Sequence, residues 1–392
     1  MISVEEARAL VRRHAAPLQE TESVPLAAAL GRVLAVEVVA DRDDPPFDRS
    51  MMDGFAVRSQ DIAALPQALD VVGEVSAGDE RLPEIRPHQA VRINTGAPVP
   101  PGADAVVPVE QTRGEVEILE GVAAGHCILD RGALAKSGTV VATGEITPEA
   151  LAVCASAGAD PVTVIRRVRC AVLSTGTELS GNPGAHEIRN SNGPMLAALL
   201  SGCQVEDLGS VRDDPDDLRA RLERGLSADV LVTTGGVSKG QKDYVPGLLA
   251  DLGVTQVFHR IALQPGKPVL FGTHPGGVVF ALPGNPVSAL VCADLFLLPY
   301  VAALGAGSFE GSLSRVPART ASGIQASPKR TRVFPCRLSG DEVDPLPWRG
   351  SADLYSAQKG NAYVVIEQGL DAAPGDEVTC LVPARHAVSV RA

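Results

Sequence analysis

The sequence predicts a multi-domain α/β protein organised around one α/β domain with a parallel sheet. The first observation is length, since 392 residues exceed what one hydrophobic core usually serves. The second is an alternation of apolar, strand-like runs with helical patterns from Val168 to about residue 304, which is typical of a parallel sheet covered on both faces. The third is a change to short strand-like runs with turn signals on either side, which predicts additional β domains.

The composition indicates packed cores and argues against nucleic acid as a partner. Hydrophobic residues make up 45% of the chain, but aromatic residues only 3%, too few for a base-stacking surface. The formal net charge of −12 also disfavours a general nucleic-acid binder. A local cluster of Lys and Arg can still bind a small anion inside an acidic protein.

Cysteine usage and hydropathy indicate a reduced protein without a membrane span. The seven cysteines are scattered and form no Cys-x-x-Cys pair, so buried thiols are expected instead of disulfides or zinc. The N-terminus lacks a signal-peptide pattern. The most apolar stretch, 287–304, is interrupted by Asp294 and Pro299. We therefore expect a soluble, cytoplasmic protein.

Helical and β-rich segments precede the α/β region. Residues 1–41 are predicted to be helical, because Ser3 and Glu6 have the spacing of a capping box. From about 47 to 134, short strand-like runs predict a small all-β domain. Residues 147–166 are predicted to be helical again, since Thr147-Pro148-Glu149 is typical of a helix start.

The α/β region is predicted element by element, and short β-rich pieces follow it from about residue 309. The predicted strands are Val168–Leu173, Val205–Val211, Asp229–Thr233, Gln256–Leu263, and two near 268–272 and 277–282. The predicted helices are about 194–201, one opened by Asp214-Pro215, Tyr244–Leu252, and Pro286 to about 304.

Three glycine- or proline-rich loops lie within sixty residues, beside apolar strand-like runs. They are Thr233–Ser238, Gln264–Pro268 and Leu282–Ser288. Such loops place backbone N–H groups at the ends of strands, where open α/β sheets bind phosphate-bearing ligands. One loop of this kind would be a weak signal, but three together predict a ligand site.

The order of these motifs resembles the molybdopterin molybdenumtransferase family, which includes bacterial MoeA and the E domain of gephyrin. The resemblance covers essentially the whole chain. Besides the three loops it is carried by Ser50–Ala56, Asn94–Pro100, Ser174–Leu179, Arg212–Pro215, Gly350-Ser351 and Gly360–Ala362.

The resemblance implies an architecture that fits the composition changes. It implies a molybdopterin-binding α/β domain at 167–308 and a C-terminal β-barrel-like domain at 309–392. It also implies a discontinuous helical segment, 1–41 with 135–166, and a β domain inserted at 42–134. Members of the family are elongated homodimers, and the resemblance implies an active cleft shared between the subunits.

The resemblance also implies a reaction. The family inserts molybdate into adenylyl-molybdopterin during molybdenum-cofactor synthesis and releases AMP, with Mg²⁺ assisting. Two anions must meet, so cations and N–H donors are needed to offset their repulsion. Expected partners are the molybdopterin adenylyltransferase and molybdoenzymes, besides a second copy of this chain.

Candidate ligands for the substrate phosphates lie in the first loop. Gly235 and Gly236 allow close backbone approach, and Ser238 adds a hydroxyl. The alternative for this loop is an ordinary strand-to-loop turn. Thr95 is either an oxyanion ligand or a turn hydroxyl.

The candidate carboxylates are Glu178, Asp213 and Asp243, each just past a predicted strand. All three are expected to hold the metal, and Glu178 and Asp243 are also expected to be catalytic. Asp213 has a strong alternative as a helix cap, since Asp214-Pro215 follows it. The resemblance implies that Asp53 is a catalytic residue acting across subunits, whereas by itself it would pass for a turn aspartate.

Cations and amides complete the predicted site. Lys267, between Gly266 and Pro268 in a stiffened loop, is a candidate catalytic anion contact, and a solvated lysine is the alternative. Arg260 is expected to be a second anion contact. Asn285 is expected to fix its loop and contact ligand. Ser288 is expected to be a substrate-side hydroxyl at a helix start, and no nucleophilic role follows for it.

The chain departs from the family pattern at three places. The family's Arg-Gly-Glu-Asp is Arg131-Gly132-Ala133-Leu134 here, its paired lysines are Arg260 and Gln264, and its Asp before Ser-Asn is Asn190. These changes leave a second hypothesis open, a low-activity paralogue that binds or delivers molybdopterin. A third, adenylyl transfer onto molybdopterin, is disfavoured by the extra β domains.

Overall fold

The computed structural model describes residues 1–114, 116–212, 214–237 and 244–386. The chain divides into two compact units. The first comprises Met1–Glu20 with Ile165–Ala392, and the second is Thr21–Val164. The predicted site residues Asp213, Ser238 and Asp243 lie outside the described residues.

The first unit opens with a helix, α1 (Val4–Arg13), which confirms the predicted capping box. Ser3 Oγ accepts a hydrogen bond from the Glu6 amide at 3.0 Å, and Glu6 Oε2 accepts one from the Ser3 amide at 2.7 Å. The prediction of helix through residue 41 is wrong beyond α1, because Thr21–Val24 is a strand. Its β-branched ends and the following Pro25 favour extended backbone.

The second unit is built from short strands around one helix, α2 (Pro148–Ser156). Its strands are β1 (Thr21–Val24), β2 (Val38–Val39), β3 (Arg49–Ser50), β4 (Gly54–Val57), β5 (Gln67–Ala68), β6 (Asp70–Val75), β7 (Gln89–Ile93), β8 (Ala105–Pro108), β9 (Thr112–Arg113), β10 (Glu117–Ile118), β11 (Ile128–Leu129), β12 (Val140–Ala142) and β13 (Val162–Ile165). The predicted helix over 147–166 is therefore right for α2 and wrong for β13. The main sheet of this unit has the order β6-β7-β4-β8. Short 3₁₀ turns occupy Leu26–Ala28, Ser59–Ile62 and Val109–Gln111.

The α/β part of the first unit contains a six-stranded sheet in the order β15-β14-β16-β20-β19-β17. Its elements are β14 (Arg169–Thr175), α3 (Asn192–Leu199), β15 (Gln204–Val211), α4 (Pro215–Gly225), β16 (Val230–Thr234), α5 (Val245–Asp251), β17 (Thr255–His259), β18 (Leu263–Gln264), β19 (Leu270–His274), β20 (Gly277–Leu282), α6 (Pro286–Cys292) and α7 (Leu298–Ala306). Helices cover both faces, because alternate residues of each strand enter two separate cores.

One strand departs from the predicted parallel arrangement. β14, β15, β16 and β20 are parallel to one another, but β19 is antiparallel to both of its neighbours. The reason is its connection, since only Pro275-Gly276 separates β19 from β20, and so short a link joins only antiparallel strands. The residues that precede β19 therefore lie at the end of the sheet where β14, β16 and β20 finish. We call this end the C-terminal rim.

The last part of the first unit is a β barrel with a short helix. Its elements are β21 (Leu313–Thr320), β22 (Thr331–Ser339), β23 (Glu342–Pro345), α8 (Leu354–Ala357), β24 (Ala362–Ile366) and β25 (Glu377–Pro383), followed by a 3₁₀ turn at Ala384–His386. The order β18-β22-β23-β21-β25-β24 closes on itself, because β22 also pairs with β24. The predicted barrel-like character is thus confirmed.

The stretch Pro286–Ala306 is a continuous helical rod in which a π-helical turn, Ala293–Leu297, joins α6 to α7. By length and composition alone it could cross a membrane, but 78% of its most apolar window is buried inside the protein, as in a core helix. Its single acid, Asp294, is 2% exposed and receives both terminal nitrogens of Arg385, at 2.5 and 2.8 Å. The Tyr363 hydroxyl donates to the same carboxylate at 2.6 Å.

A second buried carboxylate, Asp229, anchors the opposite end of the sheet. It is 7% exposed and receives Arg166 Nη1 at 2.6 Å, Arg169 Nη2 at 2.8 Å and the Arg169 amide at 2.8 Å. Burial by itself would raise the pKa of Asp229, but the hydrogen bonds from the two arginines lower that pKa to about 2.

We expect Asp229→Asn to remove a pH-dependent part of the free energy of unfolding. Because the folded pKa lies below the unfolded one, the wild-type contribution is fully present above about pH 4 and is lost as the pH falls toward 2. The variant should be less stable than the wild type by roughly 2 kcal/mol at pH 7, and the difference should shrink as the pH falls from 4 to 2. Urea denaturation at pH 7, 4 and 2.5 measures this.

Asp251→Asn, at an exposed carboxylate on the last turn of α5, is the control. If the free energies of unfolding of wild type and Asp229→Asn differ as much at pH 2.5 as at pH 7, the lowered pKa of Asp229 is contradicted.

Candidate functional site

The C-terminal rim collects the loops in which the site residues were predicted. Register pairs Ser174 with Thr234 and Thr234 with Leu282, so the loops after β14, β16 and β20 leave the sheet side by side. Leu270 at the start of β19 pairs with Ala281, and with His259 at the end of β17. The segment 260–269 therefore joins the same rim.

The glycine loop after β16 is held so closely that it admits no side chain. Gly235 has φ +88°, and a Cβ there would lie 2.1 Å from the Thr175 carbonyl oxygen. Gly236 has φ +64°, and its Cβ would lie 2.6 Å from a methyl of Val245. The Gly235 amide donates to the Leu282 carbonyl at 3.2 Å. These two glycines are therefore required by close approach as well as by backbone conformation.

Glu178 lies in the neighbouring loop, after β14. Its side chain is exposed and folds back over Gly176, where a Cβ would come within 2.6 Å of Glu178 Oε1. Its backbone is fixed because the Ile188 amide donates to the Glu178 carbonyl at 2.8 Å. The structure thus places a solvent-facing carboxylate on the rim, in the loop beside the glycines.

Lys267 and Arg260 share one loop at the rim. The Ile261 amide donates to the Lys267 carbonyl at 3.1 Å, and the Arg260 amide donates to the Val269 carbonyl at 2.9 Å. Gly266 has φ +115°, and a Cβ there would lie 2.7 Å from Cys292 Sγ, so this loop is packed against α6. Both cationic side chains are half-buried, which favours defined positions over fully solvated ones.

The loop after β20 leads into α6. Asn285 is exposed, and its Nδ2 donates to Ser351 Oγ at 2.8 Å, while the Val287 amide donates to the Ser351 carbonyl at 2.9 Å. Asn285 thus fixes its loop against the segment before α8. Ser288 is only 4% exposed in the first turn of α6, a position that suits a helix hydroxyl.

Several polar residues of the rim were missed as site residues. Ser174 Oγ donates to Asn190 Oδ1 at 3.1 Å and accepts from Thr234 Oγ1 at 3.3 Å. The Gly193 amide donates to Asn190 Oδ1 at 3.0 Å. Asn192 Nδ2 donates to the Gly284 carbonyl at 2.8 Å. The sequence signal for these contacts is the polar run Asn190-Ser191-Asn192 at the start of α3.

Asp53 and Thr95 belong to the second unit, where they contact each other. Asp53 Oδ1 accepts from the Thr95 amide at 2.6 Å and from Thr95 Oγ1 at 2.8 Å. Hydrogen bonds from the Thr95 amide and hydroxyl lower the pKa of Asp53, and both residues are exposed. The carboxylate is therefore held ionised and oriented, which serves either a turn or a catalytic role.

The departure at 131–134 lies in the second unit as well. Arg131 Nε donates to Asp43 Oδ2 at 2.7 Å, and the Arg131 amide donates to Asp48 Oδ1 at 2.8 Å. Leu134, where the family has an acid, is 63% exposed. An apolar side chain with this exposure contributes little to the packing of the unit.

The described residues by themselves do not make a complete magnesium site. Across 1–114, 116–212, 214–237 and 244–386 no group of three or more His, Cys, Asp or Glu side chains is placed to hold a metal. Of the three predicted ligands, Glu178 is the one that the structure describes. Its oxygens are of the kind that Mg²⁺ prefers.

Comparison with known proteins identifies the family. Three family models match consecutive parts of the chain. "MoeA N-terminal region (domain I and II)" matches residues 2–158, "Probable molybdopterin binding domain" 171–303, and "MoeA C-terminal region (domain IV)" 317–382. The molybdopterin molybdenumtransferase of Synechococcus elongatus is 39% identical over 302 residues, which cover 72% of this chain and 75% of that protein. This chain belongs to the molybdopterin molybdenumtransferase family.

Further relatives agree with the family assignment. Molybdopterin molybdenumtransferase 2 of Mycobacterium tuberculosis is 40% identical over 300 residues, covering 71% of this chain and 73% of that protein. A solved structure of the molybdopterin biosynthesis MoeA protein from Pyrococcus horikoshii has a TM-score of 0.81 at 27% identity, with 97% of this chain and 100% of that chain covered. The predicted family, its multi-domain α/β fold and its enzyme class are therefore confirmed.

In this chain we expect Gly235→Ala to be strongly destabilising. The new Cβ would overlap the Thr175 carbonyl, and the left-handed backbone adds strain, together at least about 2 kcal/mol. Gly247→Ala is the matched control, because that glycine lies within α5 with nothing within 4 Å of an added Cβ. It should be neutral or slightly stabilising, since Ala favours helix over Gly by about 1 kcal/mol.

Urea denaturation of both variants beside the wild type tests the pair. Equal stability of the two variants would contradict the close approach of Gly235 to Thr175.

Proposed function

We propose that this chain inserts molybdate into adenylyl-molybdopterin with release of AMP, assisted by magnesium. The observation that carries the proposal is the convergence of four loops on the C-terminal rim. They bring a glycine loop, a lysine, an arginine and a carboxylate to one end of one sheet. Ligands of open α/β sheets bind at this end of the strands. The names of the relatives supply the reaction class.

The chemistry requires an anion-binding surface. Molybdate is a dianion, and the phosphoanhydride of adenylyl-molybdopterin is also negatively charged, so their approach is opposed by charge repulsion. Lys267 and Arg260 supply positive charge, and the Gly235-Gly236 loop brings backbone of the kind that binds phosphate to the same rim. Preorganised donors of this kind stabilise charge that develops as AMP leaves.

The carboxylates of the site are proposed to bind the metal ion. Glu178 presents its oxygens to solvent at the same rim, and together with Asp213 and Asp243 it would hold Mg²⁺. When bound, that ion would polarise the phosphoanhydride and offset its charge. Among the described residues, Lys267, Arg260 and the glycine loop bind and orient the anions, and their contribution does not depend on the metal.

We further propose that the chain acts as a cytoplasmic homodimer in which the second copy supplies Asp53. The support is that Asp53 is exposed and oriented by Thr95, as a carboxylate presented to a partner would be. The substrate is the product of an adenylyltransferase, and the metallated cofactor is used by molybdoenzymes. Both are therefore the expected partners of this chain.

The test is AMP release by the purified protein given adenylyl-molybdopterin and molybdate, with and without Mg²⁺. We expect turnover in the wild type that EDTA suppresses. Lys267→Met should lower kcat/KM by about 10²-fold, because a donor to developing charge is removed. Lys329→Met, at an exposed lysine before β22, should leave the rate unchanged.

The outcomes separate the hypotheses. Tight binding of adenylyl-molybdopterin without AMP release would contradict the proposal and identify a binding or delivery paralogue. Turnover that survives Lys267→Met unchanged would contradict the role of Lys267 as a contact to the anions.

A further inference from the structure

Asn192, at the first position of α3, has a buried amide oxygen without a hydrogen-bond partner among the described residues, beside the candidate site. We call this unpaired oxygen the polar defect. The residue is 8% exposed, and its Oδ1 is buried without a hydrogen-bond partner among the residues that the structure describes. Its Nδ2 donates to the Gly284 carbonyl at 2.8 Å. Because that carbonyl can only accept, the orientation of the amide is fixed and Oδ1 must face away from it.

The hydrogen bond from the Asn192 side chain joins the start of α3 to the loop after β20 at the C-terminal rim. Asn192 follows the polar run after β14, and Gly284 belongs to the loop after β20. A Cβ on Gly284 would lie 3.5 Å from the Cα of Gly235, in the loop after β16. The next residue along the chain is Asn285, which contacts Ser351. The hydrogen bond to the Gly284 carbonyl therefore restricts the motion of the adjoining segment, which contains Asn285 and leads into α6.

A buried acceptor left unpaired destabilises a fold, and an apolar residue of the same shape is often better tolerated. Natural proteins contain few such groups, and a functional role that costs stability is one reason for keeping them. Gly284 is exposed, so we expect water to replace the Asn192 amide at its carbonyl when that amide is removed. Stability alone therefore gives no reason for an asparagine at this position.

We propose that Asn192 is a positioning residue, which fixes the loop Pro283–Pro286 for ligand binding at the expense of global stability. The proposal rests on the proposed function in one respect, that the substrate contacts this loop. The ordering of the loop by Asn192 is independent of any ligand, so each part has its own readout.

The chain offers a matched control in Asn361. That residue is 9% exposed, and both halves of its amide are paired, since Oδ1 accepts from the Leu338 amide at 2.8 Å and Nδ2 donates to the Leu338 carbonyl at 2.9 Å. Asn192 and Asn361 thus share residue type and burial. They differ in whether the amide oxygen has a partner.

The experiment compares Asn192→Leu with Asn361→Leu in the full chain. Leu has the same number and branching of side-chain heavy atoms as Asn and removes the amide. We expect the Tm of Asn192→Leu to equal or exceed that of the wild type, and the Tm of Asn361→Leu to fall by several degrees. Amide hydrogen exchange over 284–289 should become about tenfold faster in Asn192→Leu alone, because one local hydrogen bond is lost.

Kinetics provide the second readout. Asn192→Leu should raise the KM for adenylyl-molybdopterin about tenfold with a smaller change in kcat, a binding loss equivalent to one hydrogen bond. A purely structural asparagine would not give this combination of retained Tm and raised KM. Asn192→Ala repeats the comparison in case the leucine overpacks the start of α3.

Each result decides one part. A Tm that falls as in Asn361→Leu, or exchange over 284–289 that stays unchanged, would overturn the positioning role. Faster exchange with an unchanged KM would confirm that Asn192 orders the loop and would overturn the part in which the substrate contacts that loop. A wild type that binds adenylyl-molybdopterin but releases no AMP would be a failure of the proposed function instead, and the exchange result would still stand.

Discussion

The direction of β19 decides where this protein can bind anions. Its two-residue link to β20 forces it to run against the other strands, so the chain enters β19 at the rim where β14, β16 and β20 end. Lys267 precedes β19 by three residues and is carried to that rim. With a parallel β19, the same lysine would lie at the far end of the sheet, beside Asp229. The Pro275-Gly276 turn therefore places the loop of Lys267 at the same rim as the Gly235-Gly236 loop.

Two buried carboxylates, each paired with several donors, stabilise the part of the chain that contains the sheet. Asp229 binds Arg166 and Arg169 at the end of the sheet away from the rim. Asp294 interrupts an otherwise apolar helix and is paired with Arg385 and Tyr363 from the C-terminal part of the chain. In each case several donors meet one carboxylate, because a buried charge is tolerated only when it is fully paired. The amide oxygen of Asn192 differs from these carboxylates, since it is one of five buried side-chain atoms that have no hydrogen-bond partner among the residues that the structure describes.

Much of the fold followed from local patterns in the sequence. The capping box predicted α1, the apolar runs predicted β14 and β16, and the glycines predicted a tight loop at Gly235. The direction of β19 was not predicted, because its apolar run has the same pattern in a parallel or an antiparallel strand. The strand at Thr21–Val24 was not predicted, because a capping box marks where a helix begins and gives no information about where it ends. For the site, loop positions could be read from sequence, and Glu178, Lys267 and Arg260 lie on the predicted rim. The contact of Asn192 with Gly284 could not be predicted from the sequence, since it joins residues 92 positions apart.

The most direct test of the account is the position of a bound anion. Crystals of the protein soaked in tungstate, an electron-dense analogue of molybdate, would show the metal by anomalous diffraction. The account predicts a peak at the C-terminal rim, between the side chain of Lys267 and the Gly235-Gly236 loop. A peak confined to the opposite end of the sheet, beside Arg166 and Arg169, with none at the rim, would contradict it.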